Sequence, residues 1–181
     1  MRASAHLFAE RGYKNVSTIE LGEAVGMSGP ALYNYFPSKE ALLCELLIDV
    51  STRLLAGCLE IVGDERSAEE TLDELIVFHA EFATAEPDII LLQDRELSSL
   101  PDDANRKVRR LQREYLREWQ QVLRSVHPGI DDREAQTRLL ATVGLLNSTP
   151  HSAKASGSRA AAILAGMARA ALVARVLPAA G

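Results

Sequence analysis

The chain has 181 residues, of which 47% are hydrophobic and 5% aromatic, with a formal net charge of -5 and two cysteines. A core of this size needs no disulfide or metal for stability, and Cys44 and Cys58 fit no CxxC or zinc-ligand spacing. Abundant alanine, leucine, arginine and glutamate, without an alternating strand pattern, predict an all-α protein. We therefore expect no metal and no cofactor. Because no secretory or membrane-spanning segment is evident, we also expect a cytoplasmic protein that does not associate with a membrane.

Three short helices are predicted within the first forty residues. The first lies in ASAHLFAERGY, has apolar residues on one face and ends at Gly12. The second begins at Ser17, which has the capping-box spacing with Glu20, and ends at Gly26. The third lies in SGPALYNYF, where Ser28 is the expected N-cap and a proline occupies the first turn. Such closely spaced helices indicate a compact helical unit.

A longer fourth helix is predicted from its cap at Ser38 to a break near Gly63. The polar segments SSLPDD and NSTPHSAKASG, which contain proline, are predicted to be loops. We expect two domains, residues 1–44 and residues 45–181, with the fourth helix running from one into the other. Five further amphipathic helices, which make nine in all, are expected at residues 67–85, 87–98, 102–127, 131–148 and 157–177.

The tight glycine turn between the second and third helices predicts a helix-turn-helix, the arrangement that places a helix in the DNA major groove. The third helix begins with small residues that allow close approach to DNA. It ends with two tyrosines and an asparagine, whose polar groups suit phosphate oxygens and base edges. A serine and a threonine open the second helix and a lysine opens the fourth, where phosphate contacts are favourable. The expected DNA-binding residues are Ser17, Thr18, Ser28, Gly29, Pro30, Tyr33, Asn34, Tyr35 and Lys39.

Two features of this unit leave an alternative open. Leu32 and Phe36 are expected in the core, and Tyr33 and Tyr35 could instead pack beside them or against a protein partner. The negative net charge also opposes DNA binding. Residues 1–39, however, carry four basic and three acidic side chains, a net charge of +1, which leaves -6 on the rest.

The segment LFAERGYKNVSTIELGEAVGMSGPALYNYFPSKEALL resembles the DNA-binding domain of the tetracycline-repressor (TetR) family of bacterial regulators. The shared features are LFAERGY, a threonine opening the second helix, VGMS, LYNYF and SKEAL, in this order and at the expected spacing. The remainder resembles the family only in length and helix count. The resemblance implies a homodimer of nine-helix protomers that binds a palindromic operator in double-stranded DNA and is released by a small-molecule effector.

His79 lies on an apolar helical stripe with Leu72, Leu75 and Phe82. One interpretation is a buried, hydrogen-bonded histidine within a filled core. The other is a hollow core that offers a ligand an apolar pocket with a few polar groups. The tentative ligand-binding residues are Phe78, His79, Phe82, Gln93, Tyr115, Trp119 and Asn147.

The most basic stretch, RKVRRLQREYLREW at residues 106–119, places its apolar residues on one stripe and its arginines outside it. The arginines either form a solvated face that pairs with the acidic connector near residues 64–70, or bind an anionic ligand such as the phosphates of an acyl-CoA thioester. The surrounding segment faintly resembles lipid-responsive and acyl-CoA-responsive members of the family.

The last two predicted helices carry small and branched apolar residues on more than one face, and a helix that is apolar on two faces must bury both. We expect a homodimer through these helices, with packing inside one protomer as the alternative. No P-loop, G-x-S-x-G or carboxylate pair beside a base is present, so an enzyme is not expected.

Taken with the resemblance, these patterns predict a ligand-responsive DNA-binding transcriptional regulator. It would act as a repressor that a small molecule, acyl-CoA or lipid-like, releases from a palindromic operator. The alternative is a helical module that binds a ligand or a partner without DNA recognition.

Overall fold

The computed structural model describes residues 1–174, with the side chains of residues 29, 30, 153–156 and 158 left undescribed. Over this range the chain is helical and has no strand, which confirms the predicted all-α fold. Within the same residues no helix has both the length and the apolar character needed to cross a bilayer. The α-helices are α1 (Arg2–Arg11), α2 (Thr18–Ala24), α3 (Gly29–Tyr33), α4 (Lys39–Gly63), α5 (Ala68–Ala85), α6 (Pro87–Glu96), α7 (Asp102–Val126), α8 (Asp132–Leu146), α9 (Thr149–Ser156) and α10 (Ala160–Val173).

Each of the nine predicted helices is present, and the structure adds α9 in a segment that the sequence predicted to be a loop. Pro150 lies in the first turn of α9, where no backbone N–H is needed, so this proline starts a helix rather than breaking one. The hydroxyl of Thr149 donates to the carbonyl of Ala83 at 2.7 Å and fixes α9 to the end of α5. The helix predicted at 157–177 begins at Ala160, and residues 175–177 lie outside the described residues.

The first compact unit contains Met1–Ala56 and Glu86–Glu114. In this unit α1 packs against α6 and α2, and α2 packs against α3. His6 Nδ1 lies 3.0 Å from Asp88 Oδ2 and adds a polar contact between α1 and α6. The unit is therefore assembled from two separate stretches of chain. Its largest fully buried side chains are Phe8, Leu21, Leu42, Leu43, Leu47 and Leu92.

The second compact unit contains Gly57–Ala85 and the chain from Tyr115 onward. Here α10 packs against α5 and α8, and the Arg138 guanidinium donates to the carbonyl of Leu172 at 2.8 Å. The two units divide the chain differently from the predicted boundary between residues 44 and 45, which stays a prediction. The largest fully buried side chains of the second unit are Trp119, Leu72, Leu75, Leu123, Leu146 and Leu172.

Candidate DNA-binding surface and ligand site

The start of α2 is held by the capping box that the sequence predicted. Ser17 Oγ accepts from the Glu20 amide at 3.3 Å, and the Glu20 carboxylate accepts from the Ser17 amide at 2.8 Å. These bonds lower the pKa of Glu20, and Arg11 donates to the same carboxylate at 2.7 Å. Thr18 is the first residue of α2, and the capping box fixes the backbone where the chain enters the helix.

The third helix is short and begins with Ser28, whose Oγ accepts from the Ala31 amide at 3.3 Å. Leu32 is buried as expected, whereas the side chains of Tyr33 and Tyr35 are 49% and 68% exposed. The tyrosines therefore do not belong to the core of the first unit. Asn34, at the C-cap, is exposed as well.

A polar contact joins the two short helices. The hydroxyl of Tyr33 donates to Thr18 Oγ1 at 3.2 Å, so α3 is fixed to the N-terminus of α2. We call the polar groups of Ser17, Thr18, Ser28, Tyr33, Asn34 and Tyr35 the α2–α3 polar surface; Thr18 is half-buried and the other five residues are exposed. Gly29 and Pro30 lie in the backbone of the first turn of α3, and their side-chain environment lies outside the described residues.

Lys39 is the first residue of α4, and its ammonium binds backbone carbonyl groups of the protein. Nζ donates to the carbonyl oxygens of Tyr13, Lys14 and Val16 at 3.1, 3.1 and 3.0 Å. It also lies 4.8 Å from the centroid of the Tyr13 ring. The cation that the sequence assigned to DNA is therefore engaged within the protein.

His79 is 3% exposed and lies at the centre of a polar cluster in the second unit. Its Nδ1 is 2.7 Å from the Tyr115 hydroxyl, and its Nε2 is 3.0 Å from Asn147 Oδ1. Because a carbonyl oxygen can only accept, Nε2 carries the hydrogen and Tyr115 donates to Nδ1. Burial lowers the pKa of His79, and the bond to Asn147 opposes that shift only partly. The histidine is thus neutral, buried and hydrogen-bonded at both nitrogens.

The structure brings five of the seven tentative ligand residues together. The rings of Phe82, Tyr115 and Trp119 lie 6.0, 5.8 and 6.1 Å from the His79 ring, centroid to centroid. With Asn147 they form what we call the His79 cluster. Burial raises the pKa of the Tyr115 hydroxyl, which therefore stays protonated.

The other two tentative residues make different contacts. Phe78 is half-buried and lies over Gly57, where an added Cβ would be 2.4 Å from the Phe78 Cζ. Gln93 belongs to the first unit, and its amide nitrogen lies 3.5 Å from Ser51 Oγ. Neither residue is part of the His79 cluster.

Three polar side-chain atoms of the second unit are buried without a hydrogen-bond partner among the described residues: Trp119 Nε1, His127 Nε2 and Thr142 Oγ1. A buried polar atom without a partner is a favourable contact point for water or a ligand. The sequence analysis does not predict Thr142 as a site residue. Its hydroxyl lies on the buried stripe of α8 with Ala135, Leu139 and Leu146, and a polar residue on an apolar stripe is a pattern that could indicate such a site.

The buried imidazole predicts that stability decreases in mild acid. Below the usual pKa of 6.5, the unfolded chain binds a proton that the buried His79 does not accept. The free energy of unfolding should therefore fall as the pH drops below 6.5, by up to about 1.4 kcal/mol per pH unit, and stay constant above it. Urea titrations of wild type and His79→Gln at about pH 7.5, 6.5 and 5.5 measure this slope.

His79→Gln is the control, because it keeps a polar side chain but does not titrate. The pKa values of Glu20 and Glu70 are also lowered, from 4.5, but their contributions are lost only in more acidic solution. Parallel pH profiles for the wild type and the variant would contradict the prediction.

The basic stretch lies on α7, where Arg106, Lys107, Arg109, Arg110 and Arg113 are exposed. Their contacts are made within the helix. Arg106 pairs with Asp103 at 3.9 Å, Arg110 with Glu114 at 4.0 Å, and Arg109 donates to Asn105 at 2.8 Å. Arg106, Arg109 and Arg110 therefore obtain partners on α7 itself, and in the acidic connector Arg66 pairs with Asp64.

Comparison with known proteins decides the family. Residues 1–46 match the profile of the bacterial regulatory proteins of the tetR family, and residues 65–174 match that of the tetracyclin repressor-like C-terminal domain. The chain belongs to the TetR family. Membership confirms the resemblance carried by the first forty residues. It also extends the resemblance to residues 65–174, which the sequence analysis likened to the family only in length and helix count.

The TetR relatives are distant in sequence but close in fold. The transcriptional repressor KstR2 of Rhodococcus jostii is 29% identical over 97 residues, which are 54% of this chain and 48% of that protein. The chain thus spans about half the length of the curated relative that it matches. A TetR-family regulator from Bordetella parapertussis superposes with a TM-score of 0.86 at 25% identity, covering 99% of this chain and 94% of the other. FadR from Bacillus subtilis, solved with stearoyl-CoA, superposes with a TM-score of 0.74 at 18% identity, and the match covers 97% of this chain and 96% of FadR.

Proposed function

We propose that this TetR-family chain is a DNA-binding transcriptional regulator, a repressor that a small molecule releases from a palindromic operator. The observation that carries the proposal is the α2–α3 polar surface, where exposed hydroxyl and amide groups cluster at the starts and ends of two short helices. The name of KstR2, a transcriptional repressor, supports the same class. An electrophoretic mobility shift with palindromic duplexes selected from a random pool tests it, and a protein that binds no duplex at low salt would contradict it.

In this proposal α3 enters the major groove and the N-terminus of α2 approaches the backbone. Ser28, Gly29 and Pro30 allow close approach, while Tyr33, Asn34 and Tyr35 supply polar groups and ring faces to phosphates and bases. Ser17 and Thr18 contribute hydroxyl and amide groups at a helix N-terminus, where anions are favoured.

Tyr33→Ala is expected to weaken operator binding about tenfold, which corresponds to about 1 to 2 kcal/mol of binding free energy. The change removes both an exposed ring and the hydroxyl that fixes α3 to Thr18. Fluorescence anisotropy with the selected duplex gives the affinity. Since half of the side chain is exposed, the thermal unfolding midpoint should change little.

Tyr33→Phe is the matched control, because it keeps the ring and removes only the hydroxyl. An affinity between those of wild type and Tyr33→Ala would divide the effect between ring and hydroxyl. Unchanged affinity in both Tyr33→Ala and Tyr35→Ala would contradict the assignment of this surface to DNA.

The proposed regulator is a homodimer through its last long helices, α8 and α10. Their inner residues, such as Leu139 and Leu164, are buried, whereas Leu140, Ile163 and Met167 are exposed. Cβ atoms built on Gly144 and Gly166 meet nothing within 4 Å, so these helices can be approached closely. Binding to successive major grooves requires the two copies of α3 in a two-fold dimer to lie about 34 to 36 Å apart.

The proposed effector is an apolar molecule with a hydrogen-bond acceptor, of the acyl-CoA or lipid-like class. Its support is the His79 cluster, where Trp119 Nε1 lacks a hydrogen-bond partner among the described residues. Thr142 Oγ1, buried elsewhere in the second unit, also lacks one among these residues. Arg117, an exposed residue of α7 within the same unit, carries a positive charge of the kind that phosphate groups favour. The stearoyl-CoA complex of the structurally similar FadR is consistent with this class.

Mass spectrometry of small molecules retained by the purified protein tests the effector class. A retained fatty acyl compound that also releases the selected duplex supports it, and the control is free coenzyme A, which lacks the acyl chain. If effector binding is coupled to DNA release, α4 and α7 are candidate connections, because each of these helices contributes residues to both units. Reversal of a 1:99 equilibrium requires about 5.5 kcal/mol of differential effector binding.

A further inference from the structure

The segment that connects α1 to α2 is a single 3-10 turn, Tyr13–Asn15, followed by Val16 in extended conformation. We propose that Lys39 is a positioning residue that holds this connector, and through it the N-terminus of α2, at the start of α4. In this role Lys39 is not a phosphate ligand. The consequence for DNA binding rests on the function proposed above.

The coordination of the ammonium carries the inference. A lysine ammonium has three hydrogens, and Nζ has three carbonyl acceptors within 3.1 Å, on Tyr13, Lys14 and Val16. The acceptors come from one short segment, whose carbonyl groups converge on the cation. The donor capacity of Lys39 is therefore filled by backbone oxygens of the connector.

An aromatic ring completes the site. Nζ lies 4.8 Å from the centroid of the Tyr13 ring, and that ring meets Phe8 edge-on at 5.4 Å between centroids. Phe8 is fully buried on α1, so the ammonium is linked to the core of the first unit as well as to the connector. A phosphate could bind Lys39 only if the ammonium gave up one of these charge-assisted bonds.

The connector leads directly into the α2–α3 polar surface. Val16, one of the three acceptors, precedes Ser17, the N-cap of α2, and Thr18 then accepts from the Tyr33 hydroxyl. Lys39 thus connects α4 to α2, and Tyr33 connects α2 to α3. A change at the start of α4 would reach both short helices through these bonds.

Lys39→Met tests the proposal, because methionine keeps an unbranched side chain and removes the charge. Removal of one phosphate ligand lowers the salt slope of DNA binding by about 0.9, so removal of two per dimer would lower it by about 1.8. For a positioning residue we expect an unchanged slope and an affinity about tenfold weaker. In the free protein, amide hydrogen exchange across residues 13–18 should become about tenfold faster.

Lys14→Met is the matched control. Lys14 is exposed in the same connector, and its side chain makes no hydrogen bond with the described residues. This variant removes the same charge while the three carbonyl bonds of Lys39 remain, so exchange across residues 13–18 should stay as in wild type.

Lys39→Arg is the second variant if Lys39→Met does not fold. Arginine keeps the charge and binds phosphate well, but its planar guanidinium cannot direct hydrogens at the same three carbonyls. We expect faster exchange and weaker binding. A lower salt slope in Lys39→Met with wild-type exchange would overturn the proposal, as would wild-type affinity and exchange in either Lys39 variant. If the wild type binds no duplex, the function proposed above fails, whereas exchange in the free protein still decides whether Lys39 holds the connector.

Discussion

Met167→Glu is expected to convert the dimer to a monomer and to weaken operator binding at least about 100-fold. Met167 is 51% exposed on α10, so the substitution removes little packing within one protomer. In a dimer through α8 and α10, the two new carboxylates would be buried in an apolar interface. An uncompensated buried charge costs several kcal/mol, more than such an interface can lose while staying assembled. A monomer then holds one half-site instead of two.

Sedimentation velocity measures the oligomeric state, and anisotropy with the selected duplex measures the affinity. Val77→Glu is the control, because Val77 is also an exposed apolar residue, 43% exposed, and lies on α5 rather than on α8 or α10. It should leave both measurements as in wild type. A Met167→Glu protein that sediments as a dimer would place the interface elsewhere.

The second large effect is expected in the core of the second unit. Trp119→Ala should lower the free energy of unfolding by about 3 to 5 kcal/mol, because a fully buried indole is removed and the surrounding side chains close the space only in part. Trp119 is 0% exposed and its ring lies 6.0 Å from that of Tyr115, between centroids. Urea unfolding at neutral pH gives the value.

Trp119→Phe separates packing from the indole N–H. Nε1 makes no hydrogen bond with the described residues, so its removal leaves no partner unsatisfied and the stability cost should be well below that of the alanine variant. If the N–H contacts the effector, effector binding falls in Trp119→Phe while stability is largely kept. A cost below about 1 kcal/mol for Trp119→Ala would mean that the indole borders an open space rather than a packed core.

The sequence predicts those features of the α2–α3 polar surface that depend only on residues close together in the chain. The capping box at Ser17 and Glu20 and the cap at Ser28 follow from side chains three residues apart, and the structure confirms both. The exposure of Tyr33 and Tyr35 does not follow from the sequence, because helical spacing on a five-residue helix does not separate its two faces. Assignment of these residues to DNA stays a prediction.

The features that the sequence did not predict depend on distant or backbone partners. Lys39 binds carbonyl groups that lie 23 to 26 residues away in the sequence. Every residue type carries the same backbone carbonyl, so no sequence pattern indicates these partners. Tyr115 and Asn147 are 36 and 68 residues from His79 in the sequence. The sequence therefore predicts which residues are candidates on each helix, but not the hydrogen bonds that join them. The loop prediction for NSTPHSAKASG is wrong at α9, because polar residues and a proline are typical of a loop, whereas a proline is also compatible with the first turn of a helix.

The order of synthesis on the ribosome bears on the first unit. Its core combines Met1–Ala56 with Glu86–Glu114, and α1 packs against α6. The helix α1, on which α2 packs, therefore leaves the ribosome before its partner α6 has been translated. A nascent chain, or a fragment cut after the first four helices, would expose the face of α1 that α6 covers, and exposed apolar surface of this kind favours aggregation and chaperone binding. The first compact unit, which contains the helix-turn-helix, is thus completed only when residues of α6 and the first half of α7 have been added.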